Sequence, residues 1–147
     1  GGFPIGAIVA SRKVENILQP GMHASTFGGS PLACSASLAL FEVLKKEKLV
    51  ARSAKLGAQL KARLSELKKT YPVIADVRGK GMMTAIELKC EAQPVYDFCL
   101  KRGVLVNVTQ GNIVRLAPCL NIKMGDFEKA LKILTLAIKN ISNTNEN

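Results

Sequence analysis

The stretch VIADVRGKGMMTAIEL, residues 73–88, decides the fold. Residues 73–78 and 83–88 mix apolar and β-branched side chains with Asp76, Arg78 and Glu87. Gly79-Lys80-Gly81 between them permits a turn or a bulge, so the stretch predicts two strands joined closely. On its N-terminal side Leu49, Leu56, Leu60, Leu64 and Leu67 recur at helical spacing with lysines and arginines between them. That pattern predicts an amphipathic helix over 49–69, ended by Tyr71-Pro72. On the C-terminal side a helix is expected over 93–102, with Gly103 as its C′ glycine. Strands are expected over 104–108 and 113–117, joined by Thr109-Gln110-Gly111-Asn112 and broken off by Pro118 and Asn121. Phe127, Leu131, Leu134, Ile138 and Ile141 mark a last amphipathic helix, with Asp126 and Glu128 in its first turn as the helix dipole favours. Residues 142–147 are polar and expected to fray. Helix, two strands, helix, two strands and helix predict an α/β unit of the α+β kind.

Upstream the pattern changes. Residues 5–10 form an apolar, β-branched run closed by Ser11-Arg12-Lys13, which predicts the end of a buried strand. His23-Ala24-Ser25-Thr26-Phe27-Gly28-Gly29-Ser30-Pro31 then leads into a helix, with Ser30 as N-cap and Pro31 at N1. Residues 32–44 are apolar on nearly every side, so that helix is expected to be buried all round. Composition shifts to lysine-rich near residues 45–48, which sets a boundary between a domain over 1–46 and another over 47–147. The opening Gly1-Gly2-Phe3-Pro4 has no methionine and no cap, and reads as the continuation of something longer.

The chain has 147 residues, 48% of them hydrophobic, and a net charge of +10. Lysines and arginines interrupt every apolar segment well short of the roughly 20 residues a membrane-spanning helix needs. Cys34, Cys90, Cys99 and Cys119 follow no metal-ligand spacing and His23 is the only histidine, so reduced, buried thiols in a cytoplasmic protein are expected and no metal. Much of the positive excess lies on the polar side of the helix over 49–69, where a solvated face explains it. The chain has no tryptophan and few aromatics to stack on bases, which argues against nucleic acid.

Two places could carry chemistry. In the loop 23–31, glycines flank hydroxyls and a helix begins, so backbone amides and Thr26 could converge on a phosphate; the same run also serves as a plain helix-entry turn. In 113–117, alternation puts Arg115 on the face of Ile113 and Ala117, which predicts a guanidinium emerging from apolar surroundings. Its partner is either an internal acid or a substrate carboxylate gripped by the planar fork. Gly79-Lys80-Gly81 lacks the spacing and hydroxyl of a phosphate loop and reads as a turn. Asp76, Glu87 and Asp97 show no paired arrangement for acid–base work.

The strings Gly1-Gly2-Phe3-Pro4-Ile5-Gly6-Ala7, 23–34, Val77-Arg78-Gly79-Lys80-Gly81-Met82, Gly103-Val104-Leu105-Val106-Asn107-Val108-Thr109 and Val114-Arg115-Leu116-Ala117-Pro118 come in an order and spacing that resembles the class III aminotransferases, with most likeness to those acting on acetylornithine. The resemblance implies the fold type I of pyridoxal-phosphate enzymes, with the end of the large domain followed by the small C-terminal domain. It implies pyridoxal 5'-phosphate as cofactor and a cytoplasmic homodimer with a shared active site. The implied reaction is transfer of the δ-amino group of N-acetylornithine to 2-oxoglutarate in arginine biosynthesis. Ornithine, succinylornithine and succinyl-diaminopimelate are alternative donors. The family's cofactor-bearing lysine would precede Gly1, so no catalytic residue is expected here and the chain alone should be inactive. Thr26, with Ser25 beside it, matches the family's ligand to the cofactor phosphate of the neighbouring subunit, and Arg115 its clamp on the substrate carboxylate. Ala24, Ser30 and Cys119 depart from the glycine, asparagine and proline common there. A basic module binding phosphate or nucleic acid is the non-enzyme alternative, and a folding and dimerisation element is another.

Overall fold

The computed structural model describes residues 2–145, and the chain divides into two compact units, Gly1–Lys48 and Leu49–Asn147.

In the first unit residues 2–29 form turns and bends with no strand, and all of them are exposed. The strand end expected over 5–10 is therefore absent: Ile8 is 87% and Val9 97% exposed. A strand exists only as part of a ladder, and among the described residues of this unit no segment supplies one. Helix α1, Pro31–Lys46, starts where the sequence says, because the Ser30 hydroxyl accepts a hydrogen bond from the Ala33 amide at 3.4 Å and Pro31 needs no donor partner. It is not buried all round. Ala33 is covered, whereas Leu32 and Phe41 are each 67% exposed. An apolar helix is hidden only where another element lies against it, and the described residues of this unit form no second one.

The second unit is a four-stranded antiparallel sheet with helices on one face. Its elements are α2 (Leu49–Thr70), β1 (Ile74–Lys80), β2 (Met83–Leu88), α3 (Gln93–Leu100), β3 (Asn107–Thr109), β4 (Ile113–Leu116) and α4 (Met124–Asn145). The strand order is β1-β2-β4-β3. Both strands of the opening stretch form, but the turn is tighter than expected: Lys80 pairs with Met83, so only Gly81 and Met82 lie between the strands. Helix α3 stops two residues early, at Leu100, with Gly103 beyond it at φ +76°. β3 begins at Asn107 rather than 104, and α4 carries helix through 142–145, where fraying was expected; residues 146–147 of that tail lie outside the described residues.

One face of the sheet carries Val77, Ile86 and Val114, which join Leu56, Leu60 and Leu64 of α2, Val95 and Cys99 of α3, and Phe127, Leu134 and Ile138 of α4 in a single core. The leucine spacing of α2 thus meets a sheet, and α2 is fixed there by close backbone approach. A Cβ on Gly57 would overlap the backbone of Gly81, while the Ser53 hydroxyl accepts a hydrogen bond from the Met82 amide at 3.3 Å. The other face of the sheet carries the charged residues.

Candidate functional site

Two groups of residues could bind anions, one in each unit. In the first unit the loop before α1 is closed by short-range bonds: the Gly28 amide donates to the Ser25 carbonyl at 3.1 Å and the Ser30 amide to the Phe27 carbonyl at 3.3 Å. Gly29 takes the left-handed conformation, φ +69°. The Ser25 and Thr26 hydroxyls are exposed and have no hydrogen-bond partner among the described residues. The first turn of α1 carries no acidic side chain. Free hydroxyl donors beside a helix N-terminus suit an oxyanion. This donor set fits the phosphate end of the expected cofactor, and no more of it than that.

In the second unit the outer face of the sheet is read from its register. Arg78, Ala85, Arg115 and Asn107 stand opposite one another across β1, β2, β4 and β3. Asp76, Glu87, Ile113 and Thr109 form the adjacent row on the same face. Alternation therefore places Arg115 with Ile113 as expected, but its surroundings differ: Arg115 is exposed, with small Ala85 on one side and the Asn107 amide on the other. The apolar enclosure inferred from the sequence is missing because only the opposite face of β4 meets helices. Among the described residues no acid bonds the Arg115 guanidinium.

The acids of this face belong to Arg78. Asp76 and Glu87 face each other directly across β1 and β2, an arrangement that repels unless a cation lies between. Arg78 Nη1 donates to Glu87 Oε2 at 2.5 Å and to Asp76 Oδ2 at 3.2 Å. Lys68 Nζ adds a longer contact to Asp76 at 3.5 Å. Arg78 holds the Asp76 carboxyl below the usual carboxylate range, helped by the Val77 amide, while Glu87 and then Asp76 push the Arg78 guanidinium up. The sequence reading found no pairing of Asp76 with Glu87; counting residues outward from a two-residue turn would have revealed it.

A second arginine also escaped that reading. From α2, Arg52 donates to the carbonyls of both Leu120 and Ile122, pinning the loop that follows β4. Of the cysteines expected to be buried only Cys99 is, and burial raises its thiol pKa; Cys34 and Cys90 are half-buried and Cys119 is exposed, because the segments that carry them are only partly covered. A cavity of about 380 Å³ lined by Val104, Val106, Leu116, Phe127, Asp126 and Lys129 sets two charged side chains at an otherwise apolar wall and holds no catalytic set. Among the described residues no group of three or more histidines, cysteines and acids could hold a metal, and no helix is long and apolar enough to cross a membrane.

Comparison with known proteins supplies the context. The family described as aminotransferase class-III matches residues 1–138. The acetylornithine aminotransferase of Methanothermobacter thermautotrophicus is 40% identical over 141 residues, 96% of this chain and 36% of that protein. The ornithine aminotransferase of Bacillus cereus is 43% identical over 132 residues, 90% of this chain and 33% of that protein. Among solved structures, the ornithine aminotransferase of Toxoplasma gondii, with partial occupancy of pyridoxal phosphate at its active site, superposes with a TM-score of 0.80 at 31% identity, covering 89% of this chain and 32% of that one. The chain thus spans about a third of the length of the relatives it matches.

Proposed function

The chain belongs to the class III aminotransferase family, and on that premise we propose that it forms the C-terminal part of a pyridoxal-phosphate enzyme that moves the δ-amino group of N-acetylornithine to 2-oxoglutarate. Residues 1–46 are the end of the large cofactor-binding domain and 47–147 the small domain. The observation that carries the reading is the exposed guanidinium of Arg115, without an acidic partner among the described residues, on a face whose other arginine is engaged with acids.

Arg115 orients the substrate by gripping its carboxylate with two charge-assisted bonds, each worth about 1.5–3 kcal/mol. Asn107 and Ala85 flank it without competing for the anion. Thr26, seconded by Ser25, holds the cofactor phosphate across a homodimer interface, so each active site draws on both subunits. When bound, the cofactor supplies the electron sink that lets the carbon bearing the amino group lose a proton. The free thiols of Cys34, Cys99 and Cys119 suit a reducing, cytoplasmic setting.

The test is Arg115→Ala in the full-length enzyme. Loss of both bonds should lower kcat/KM for carboxylate substrates by about a hundredfold or more. Unchanged KM and kcat would remove Arg115 from the substrate site. Ornithine is the second candidate donor, favoured by the 43% identity to the Bacillus cereus enzyme. Comparing kcat/KM for ornithine and its N-acetyl derivative decides between them.

A further inference from the structure

The outer face of the sheet contains an acid that could disable the carboxylate clamp. Ala85 is the direct neighbour of both Arg78 and Arg115, and Glu87 lies two residues further along the same strand on the same face. Glu87 is therefore a diagonal neighbour of Arg78 on one side and of Arg115 on the other. Diagonal neighbours in a sheet, about 7–8 Å apart, are within reach of long side chains. Either arginine can compete for this carboxylate. In the structure Arg78 has it, at 2.5 Å.

Asp76 and Glu87 are not equivalent in this competition. Asp76 has a second cation in Lys68, at 3.5 Å, whereas Glu87 has no cation other than Arg78 among the described residues. Asp76 also faces Glu87 directly, so without Arg78 the two carboxylates repel and Glu87 is driven toward the remaining unpaired cations of the face. Arg115 is the diagonal one.

We propose that Arg78 is a positioning residue for the carboxylate site: by occupying Glu87 it keeps the sheet's own acid off Arg115, leaving that guanidinium free for an anionic substrate. The inference rests on the reading of Arg115 as the substrate clamp. It assigns the paired arginine an electrostatic task that the turn sequence around it does not suggest, since Arg78 itself touches no substrate.

The experiment is a cycle in the full-length enzyme with 2-oxoglutarate as the varied substrate. Arg78→Met should raise its KM by about two- to fivefold, the range of a partly exposed ion pair formed between Glu87 and Arg115. Adding Glu87→Gln to that variant should return the KM to the parent value, because the competing charge is gone. A purely structural role for Arg78 would give no such rescue. The thermal shift produced by glutarate, a dicarboxylate that cannot react, should follow the same order without turnover. If Arg78→Met folds poorly, Arg78→Gln carries the same test. The proposal is overturned if the KM of the single variant equals the parent's, or if the double variant stays as weak as the single one. Arg115→Ala separates the two levels: a large loss there with no effect at Arg78 sinks this inference alone, and no loss there sinks the reading beneath it.

Discussion

The Thr26 hydroxyl is exposed, unpartnered among the described residues and set in a glycine turn ahead of a capped helix. Valine matches its shape without the donor, so Thr26→Val isolates one hydrogen bond to a charged group. Cofactor affinity in the full-length enzyme should fall about tenfold by equilibrium dialysis, and an affinity equal to the parent's would take Thr26 out of the phosphate site. Asp76 provides a residue-level check within this chain. Its carboxyl is held below the ordinary range, first by Arg78. A depressed folded pKa means the ionised form is the stabilised one. Its contribution is present above the unfolded pKa and fades as pH falls through the lower folded value. An NMR titration should place the Asp76 midpoint below that of an unfolded peptide, and Arg78→Met should move it upward. A midpoint indifferent to Arg78 would contradict the ion pair.

Among the elements, α2 and the β1–β2 turn approach to backbone contact. Gly57 leaves no room for a methyl, because the atoms it would meet are backbone atoms of Gly81 and cannot rotate aside. Two effects oppose each other in Gly57→Ala. Alanine gains up to about 1 kcal/mol of helix propensity, and overpacking against backbone costs about 1–3 kcal/mol. The clash should win, lowering the melting temperature of the second unit by roughly 4–8 °C for each kcal/mol lost. Calorimetry showing a stabilised variant would mean that helix and turn are not in contact. Arg52 ties the same helix to the carbonyls of Leu120 and Ile122, so α2 braces both the turn after β1 and the loop after β4.

For the whole molecule the contrast between units is one of cover. The second unit buries nearly every large apolar side chain of its helix stripes and inner sheet face, while the first displays Ile8, Val9, Phe27, Leu32 and Phe41. Apolar surface on that scale marks a region adapted to contact something else. In native-state hydrogen exchange, amides of β2, β4 and the core side of α4 should be protected to near the global stability. Those of residues 2–29, which form only turns, should exchange close to the unprotected rate. Equal protection in both regions would refute the division.

What the sequence determined by itself was local or ordered along the chain. The leucine spacing set α2, Ser30-Pro31 set the start of α1, the glycines set the hairpin of 73–88, and five motifs in register pointed to the family that the comparisons then showed. Only the tertiary structure decided cover and partnership. Residues 5–10 have strand composition but no ladder, α1 is apolar but uncovered, and Arg115 sits on the predicted face yet lies open. Arg78, Asp76 and Glu87 became one cluster only through a register set by where the turn tightened. The physical reason is that periodicity records which side of a segment is apolar or charged, whereas burial and ion pairing depend on which other segment lies against that side.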